Sequence, residues 1–145
     1  MGGDNSPDAT LNGAYLASQY LGEKETIVLV GDEKLAKSWF KSNNIDTSVF
    51  EFIHADEVIS MNEHATKAIR KKPNNSISVG FNALKNKEID VFSSAGNSGA
   101  MLVGSMFSIG PIKGVIRPSI TSVLPKKNGG VGLILDVGVN ADCKP

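Results

Sequence analysis

Short runs of β-branched and aromatic residues alternate along this chain with stretches whose apolar positions recur every three or four residues, the signatures of strands and helices in turn. TIVLVGD (Thr26 to Asp32), SVFEFI (Ser48 to Ile53) and IDVF (Ile89 to Phe92) read as strands. Ser6 is placed to cap a first helix, with Pro7 opening it and Asp8 in its first turn, so that Leu11, Ala14, Ala17 and Leu21 face the core. Asp32 caps a second helix carrying Leu35, Trp39 and Phe40. HADEVI (His54 to Ile59) has no clear period and reads as a loop. From Asn62 to Lys72 a helix turns Ala65, Ala68 and Ile69 inward and Lys67, Arg70, Lys71 and Lys72 outward, and Pro73 ends it. Ser76 caps the next helix, with Ile77, Gly80, Phe81 and Leu84 on one face. Leu102, Val103, Met106 and Phe107 mark a further helix face, closed by Gly110 and Pro111. PSITSVLP and VGLILD flank KKNGG (Lys126 to Gly130), a turn suited to a hairpin.

Strands alternating with helices predict an α/β fold, a mostly parallel sheet covered on both faces, with an antiparallel hairpin near the carboxyl end. Ligands of such sheets sit beyond the carboxyl ends of strands, which directs attention to SSAGNSGAM (Ser93 to Met101) and DVGVNAD (Asp136 to Asp142). The first is a strand-to-helix turn. Its glycines, Gly99 among them, are expected to permit positive φ and close approach of a ligand to the backbone, and the first N–H groups of a helix attract anions. Gly96, Asn97, Ser98 and Gly99, with Ser94 beside them, are therefore candidates for an oxyanion site, or else for a tight turn that only packs helix on strand. No Gly-Lys-Ser/Thr follows and the G-x-G-x-x-G spacing is absent, which disfavours ATP and NAD. In the second stretch Asp136, Asn140 and Asp142 are either ligand-facing groups or Asx turn residues. Cys143 reads as a packing residue before a nucleophile, and His54 with Asp56 and Glu57 lacks metal-ligand spacing. The Lys67, Arg70, Lys71 and Lys72 run is a solvated face or a dock for an acidic partner.

Composition narrows this modestly. The 145 residues make about one domain, and 15 Lys plus Arg against 15 Asp plus Glu give no basic excess for nucleic acid or a membrane surface. One cysteine fits a reducing compartment, so the cytoplasm is expected. No apolar run approaches membrane-spanning length, and MGGDNSPDAT is unlike a signal peptide. A glycine-rich turn with no strand before it and a stop just after VGLILD suggest a chain cut at both ends.

MGGDNSP, HADEVI, KKPNNSISVG, SAGNSGA, IKGVIRPSI, Leu124-Pro125 and DVGVNADCKP follow one another in the order and spacing of the bacterial phosphate acyltransferase family of phospholipid synthesis, PlsX, which the chain resembles over its whole length. Ser98 stands where the family often has threonine, and Val139 to Ala141 read VNA where ANV is usual. Family members are about twice as long, beginning with a strand before MGGD and continuing past CKP, so the resemblance implies the amino-terminal half of one domain. It implies an α/β/α sandwich similar to phosphotransacetylase and the isopropylmalate dehydrogenases, and a homodimer. The implied reaction moves a long-chain acyl group from acyl-[acyl carrier protein] to inorganic phosphate, with no cofactor and no metal. On this reading Ser94, Gly96, Asn97, Ser98 and Gly99 bind phosphate or acyl phosphate. Asn97, Asp136 and Asn140 serve catalysis, Gly2, Gly3, Asp4 and Asp142 form the rim, and Lys67, Arg70, Lys71 and Lys72 receive the carrier protein. The family also implies peripheral contact with the inner face of the membrane and with a glycerol-3-phosphate acyltransferase. The alternatives are a phosphotransacetylase-like enzyme using acyl-coenzyme A and a non-catalytic fragment or partner-binding module.

Overall fold

The computed structural model describes residues 2–116 and 118–137. In chain order the elements are α1 (Asp8–Ser18), β1 (Ile27–Gly31), α2 (Glu33–Ser42), β2 (Phe50–His54), α3 (Ala65–Lys71), α4 (Ser76–Lys85), α5 (Ser98–Ser108), β3 (Thr121–Pro125) and β4 (Val131–Leu135). The fold is α/β: β1 and β2 pair in parallel, Ile27 opposite Phe50 through Gly31 opposite His54, and β3 and β4 form the expected antiparallel hairpin. The two pairs are separate two-stranded sheets.

Two cores follow from the apolar periods. Leu11 of α1, Leu29 of β1, Ala36 and Phe40 of α2 and Phe50 of β2 bury one cluster, with the Phe40 and Phe50 rings stacked at 4.8 Å. The second joins Ile59, Ala68 of α3, Ile77 and Phe81 of α4 and Ala100 of α5. Small residues bring α4 and α5 together: a Cβ on Gly104 would lie 3.0 Å from Ile77 Cγ2 and 3.1 Å from the Phe81 ring.

Several expectations are corrected. Pro7, not Ser6, occupies the cap position of α1, without a side-chain cap, and the Asp8 carboxylate accepts from the Trp39 indole N–H. Leu11 is buried, but Ala17 and Leu21 are exposed, because Ala17 borders a cavity and Leu21 lies past the helix end. Asp32 does cap α2, accepting from Leu35 N–H at 3.1 Å, yet Leu35 itself is exposed and Ala36 with Phe40 forms the buried stripe. α3 begins at Ala65 rather than Asn62, because Ser60 to Glu63 are held in a loop by side chains described below. Asn75, not Ser76, caps α4. Met106 and Phe107 of α5 are exposed, since Ala100 and Gly104 make the close contact with α4.

The largest correction concerns Ile89 to Phe92. This segment is in no strand: a cavity of about 870 Å³, bordered by Thr26 to Val30 on one side and Glu88 to Ala95 on the other, separates it from β1. Phe92 nevertheless anchors it, with its ring 5.0 Å from that of Phe81 and so close to Gly80 that any Cβ there would strike it at 2.3 Å.

Candidate functional site

α5 starts on a residue in the left-handed region, Asn97 at φ 41°. Asparagine tolerates that conformation better than most residues with a Cβ, and here its short side chain is used on both sides. Asn97 Oδ1 accepts from Ala100 N–H at 3.0 Å, closing the first turn, while Nδ2 donates to the carbonyls of Ser60 at 3.0 Å and Glu63 at 3.2 Å, with a longer approach of 3.4 Å to that of Met61. The Asn97 backbone N–H donates to Met61 Sδ. Asn97 is thus buried and committed to the protein, tying the Ser60 to Glu63 loop to the head of α5.

The same arrangement decides which amides remain. Asn97 N–H goes to the thioether, Ala100 N–H to the cap and Met101 N–H to Asn97 O. Ser98 and Gly99 keep N–H groups with no hydrogen-bond partner among the described residues, Ser98 exposed and Gly99 half-buried. Two adjacent N–H groups at the positive end of an eleven-residue helix are suited to one oxyanion. Gly99 is not at positive φ as expected. It lies within the helix, where a Cβ would meet Ala65 Cβ at 3.3 Å and Asn97 Oδ1 at 3.4 Å.

Ahead of the helix the backbone doubles back on the amino terminus. A Cβ on Gly96 would sit 2.6 Å from Gly3 N and 2.9 Å from Gly2 C, and Gly3 itself is at φ 113° against Ala95. Gly2 and Gly3 therefore come together with the Ser94 to Gly99 turn, and Thr10 Oγ1 pins them by donating to Gly2 O at 3.1 Å. Ser94 Oγ accepts from Gly96 N–H at 3.3 Å. Asp4 is exposed.

Beside the turn opens a groove of about 420 Å³, with Ser94 and Ser98 at its head and Phe81, Met101, Leu102 and Ile120 along its walls. Asp136 follows β4 at φ 62°, its N–H donating to Ile120 O at 2.7 Å, which holds its backbone against that groove wall. Asn140, Asp142 and Cys143 lie outside the described residues.

The basic helix divides. Lys67, Arg70 and Lys71 are exposed, but Lys72 Nζ is held by Glu63 Oε1 at 2.6 Å and Val58 O at 2.7 Å. The Lys72 ammonium, followed by the Ser60 N–H, holds the Glu63 carboxyl below the usual glutamate range. His54 Nδ1 faces Glu33 N–H at 3.5 Å, and the Asp56 and Glu57 carboxylates accept from Asn74, so all three serve local structure.

Sequence reasoning missed Met61, Glu63, the clamp on their loop and the capping role of Asn97. For the last of these the signal was its position directly before an apolar helix.

The family model described as Fatty acid synthesis protein matches residues 1–145. The chain is 46% identical, over all its 145 residues and 42% of the relative's length, to a protein of Acetivibrio thermocellus named Phosphate acyltransferase. Proteins of that name from Clostridioides difficile and Thermoanaerobacterium thermosaccharolyticum are 39% and 42% identical over the whole chain and 42% and 41% of their own lengths. The chain thus spans about two fifths of the length of these curated relatives, and it belongs to the fatty acid synthesis protein family.

Proposed function

We propose that this chain is the phosphate-binding part of an enzyme that transfers a long-chain acyl group from acyl-[acyl carrier protein] to inorganic phosphate, forming acyl phosphate for phospholipid synthesis. The observation that supports this most is the pair of amides at Ser98 and Gly99 that have no partner among the described residues, at the head of α5 beside the Gly2, Gly3 and Gly96 crossing. Relatives named for phosphate acyltransfer match across the same residues.

The chemistry asks little of side chains. Phosphate carries ample negative charge near neutral pH, its monoesters losing a second proton near ~6, so an oxygen held at Ser98 and Gly99 can attack a thioester carbonyl directly. The new C–O bond forms, the C–S bond breaks, and the carrier-protein thiolate leaves with the electron pair. Positioning by the two amides and the helix dipole carries the rate. Asn97 holds those amides in place. Asp136, together with Asn140 outside the described residues, is assigned to orienting the anion or relaying a proton. A carboxylate placed directly on phosphate would repel it. Lys67, Arg70 and Lys71 are the exposed cations of this helix for an acidic carrier protein, whereas Lys72 is already paired. A homodimer, a cytoplasmic location at the membrane's inner face and contact with a glycerol-3-phosphate acyltransferase belong to the same reading.

The test is a chimera in which residues 1–145 replace the matched part of the Acetivibrio thermocellus relative. Given acyl-[acyl carrier protein] and phosphate, it is expected to form acyl phosphate, trapped as the hydroxamate, and Gly99→Val is expected to reduce the yield at least tenfold. A folded chimera that forms none contradicts the proposal, and one that prefers acyl-coenzyme A establishes the phosphotransacetylase-like alternative.

A further inference from the structure

The groove beside the turn follows one face of α5. Ser98, Met101, Leu102 and Ser105 all line it, at the i, i+3, i+4, i+7 spacing that puts residues on one side of a helix. Seven residues of helix carry that face roughly 10 Å from the amide pair. The neighbouring face is already used, since Ala100 and Gly104 are buried, with Gly104 against Ile77 and Phe81.

Its chemistry is that of a hydrocarbon site with a polar head. Phe81, Met101, Leu102 and Ile120 supply apolar walls, interrupted by Ser119 beside Ile120. Ser105, at the far end, turns its hydroxyl back to the Leu102 carbonyl at 2.8 Å, so it offers no free donor to the groove. The larger cavity alongside β1 also touches Ser94 and Ala95, but four carboxylates, Glu25, Glu51, Glu88 and Asp90, border it against one ammonium, Lys24, and that excess of negative charge opposes an anionic ligand. An acyl carbon bonded to a phosphate oxygen at Ser98 and Gly99 must send its chain away from that point, and the groove begins there.

We propose that this groove receives the hydrocarbon chain of the acyl phosphate, running along Met101 and Leu102, with Ser105 limiting the length of chain that stays out of water. The inference rests on the reading of the Ser98 and Gly99 amides as the phosphate site. Chain-length preference is then a property of α5, set by the residue seven positions beyond the first amide donor.

Alkyl phosphates test it on the 145-residue chain, with binding read from amide and methyl resonances below the aggregation limit of each probe. Affinity is expected to rise from inorganic phosphate through butyl to octyl phosphate, by about fourfold for each methylene that is fully covered, and to level off by dodecyl phosphate, with shifts at Met101 and Leu102. Ser105→Phe is expected to move that plateau to shorter chains, and Leu102→Ala, which thins the wall instead of blocking the end, to lower the ratio of octyl to inorganic phosphate affinity. Inorganic phosphate binding with no gain from an alkyl chain, or a length dependence unchanged in folded variants, overturns the groove. Octanol shifting Met101 and Leu102 with no response to inorganic phosphate supports the groove and overturns the phosphate reading alone.

Discussion

Asn97 shows how one side chain can look like a ligand in sequence and serve as a support in the fold. Every side-chain polar atom it has is spent, Oδ1 on Ala100 N–H and Nδ2 on the loop carbonyls, and its backbone sits at φ 41°. Asn97→Ala removes a helix cap, worth about 0.5–2 kcal/mol, and leaves an alanine, without asparagine's local hydrogen bonds, in a left-handed conformation that costs roughly 1–2 kcal/mol. A loss of about 2–3 kcal/mol in urea unfolding is expected, and a loss below half a kcal/mol would contradict the clamp. In sequence Asn97 reads as a phosphate-binding and catalytic residue and not as a cap, although an asparagine directly before an apolar helix is a cap signal. Its hold on the loop has no such signal, because Ser60 to Glu63 are more than thirty residues away and nothing in their spacing points to Asn97. Glycine roles moved in the same way: Gly96 is required by the backbone of Gly2 and Gly3 crossing it, and Gly99 is crowded by Ala65 and Asn97, neither standing at positive φ.

Among elements, the loop between β2 and α3 is set from both ends, by Asn97 on one side and by the Glu63–Lys72 pair on the other. Glu63 is exposed enough that its pair is a matter of geometry more than of stability, and its carboxyl is shifted down by Lys72 and Ser60. A depressed carboxyl favours the folded loop at any pH above the unfolded glutamate value, and that contribution is lost as pH falls through the lower folded value. The Ser60 amide, which donates to Glu63 Oε1 at 2.8 Å, is therefore expected to titrate below the ordinary glutamate range, and Lys72→Met to raise its midpoint toward that range. An unchanged midpoint would contradict the pairing. Lys67, Arg70 and Lys71 of α3 were readable as an exposed face, yet the partner of Lys72, just past the helix, depended on a loop that has no period to read. Apolar spacing likewise marked α5 but chose the wrong face, because two small residues, Ala100 and Gly104, and not the large ones, allow close approach to α4.

At the scale of the molecule, the α/β class, the parallel pair and the hairpin were legible because runs such as TIVLVGD and the KKNGG turn carry strong local preferences. IDVF carries the same preference and forms no strand. A ladder needs a neighbour at hydrogen-bonding distance, and the cavity beside β1 separates this segment from it. What the fold does assemble is the approach of three distant pieces, Gly2 with Gly3, the Ser60 to Glu63 loop and the head of α5, around two amides that have no partner among the described residues. The account turns on those amides holding phosphate. The most direct measurement is a phosphate titration of the isotopically labelled chain at constant ionic strength, followed at every backbone amide. Saturable shifts centred on Ser98 and Gly99, weakened or lost in Gly99→Val, are the predicted result, while an absence of saturation there, or saturable shifts confined to other parts of the chain, would contradict it.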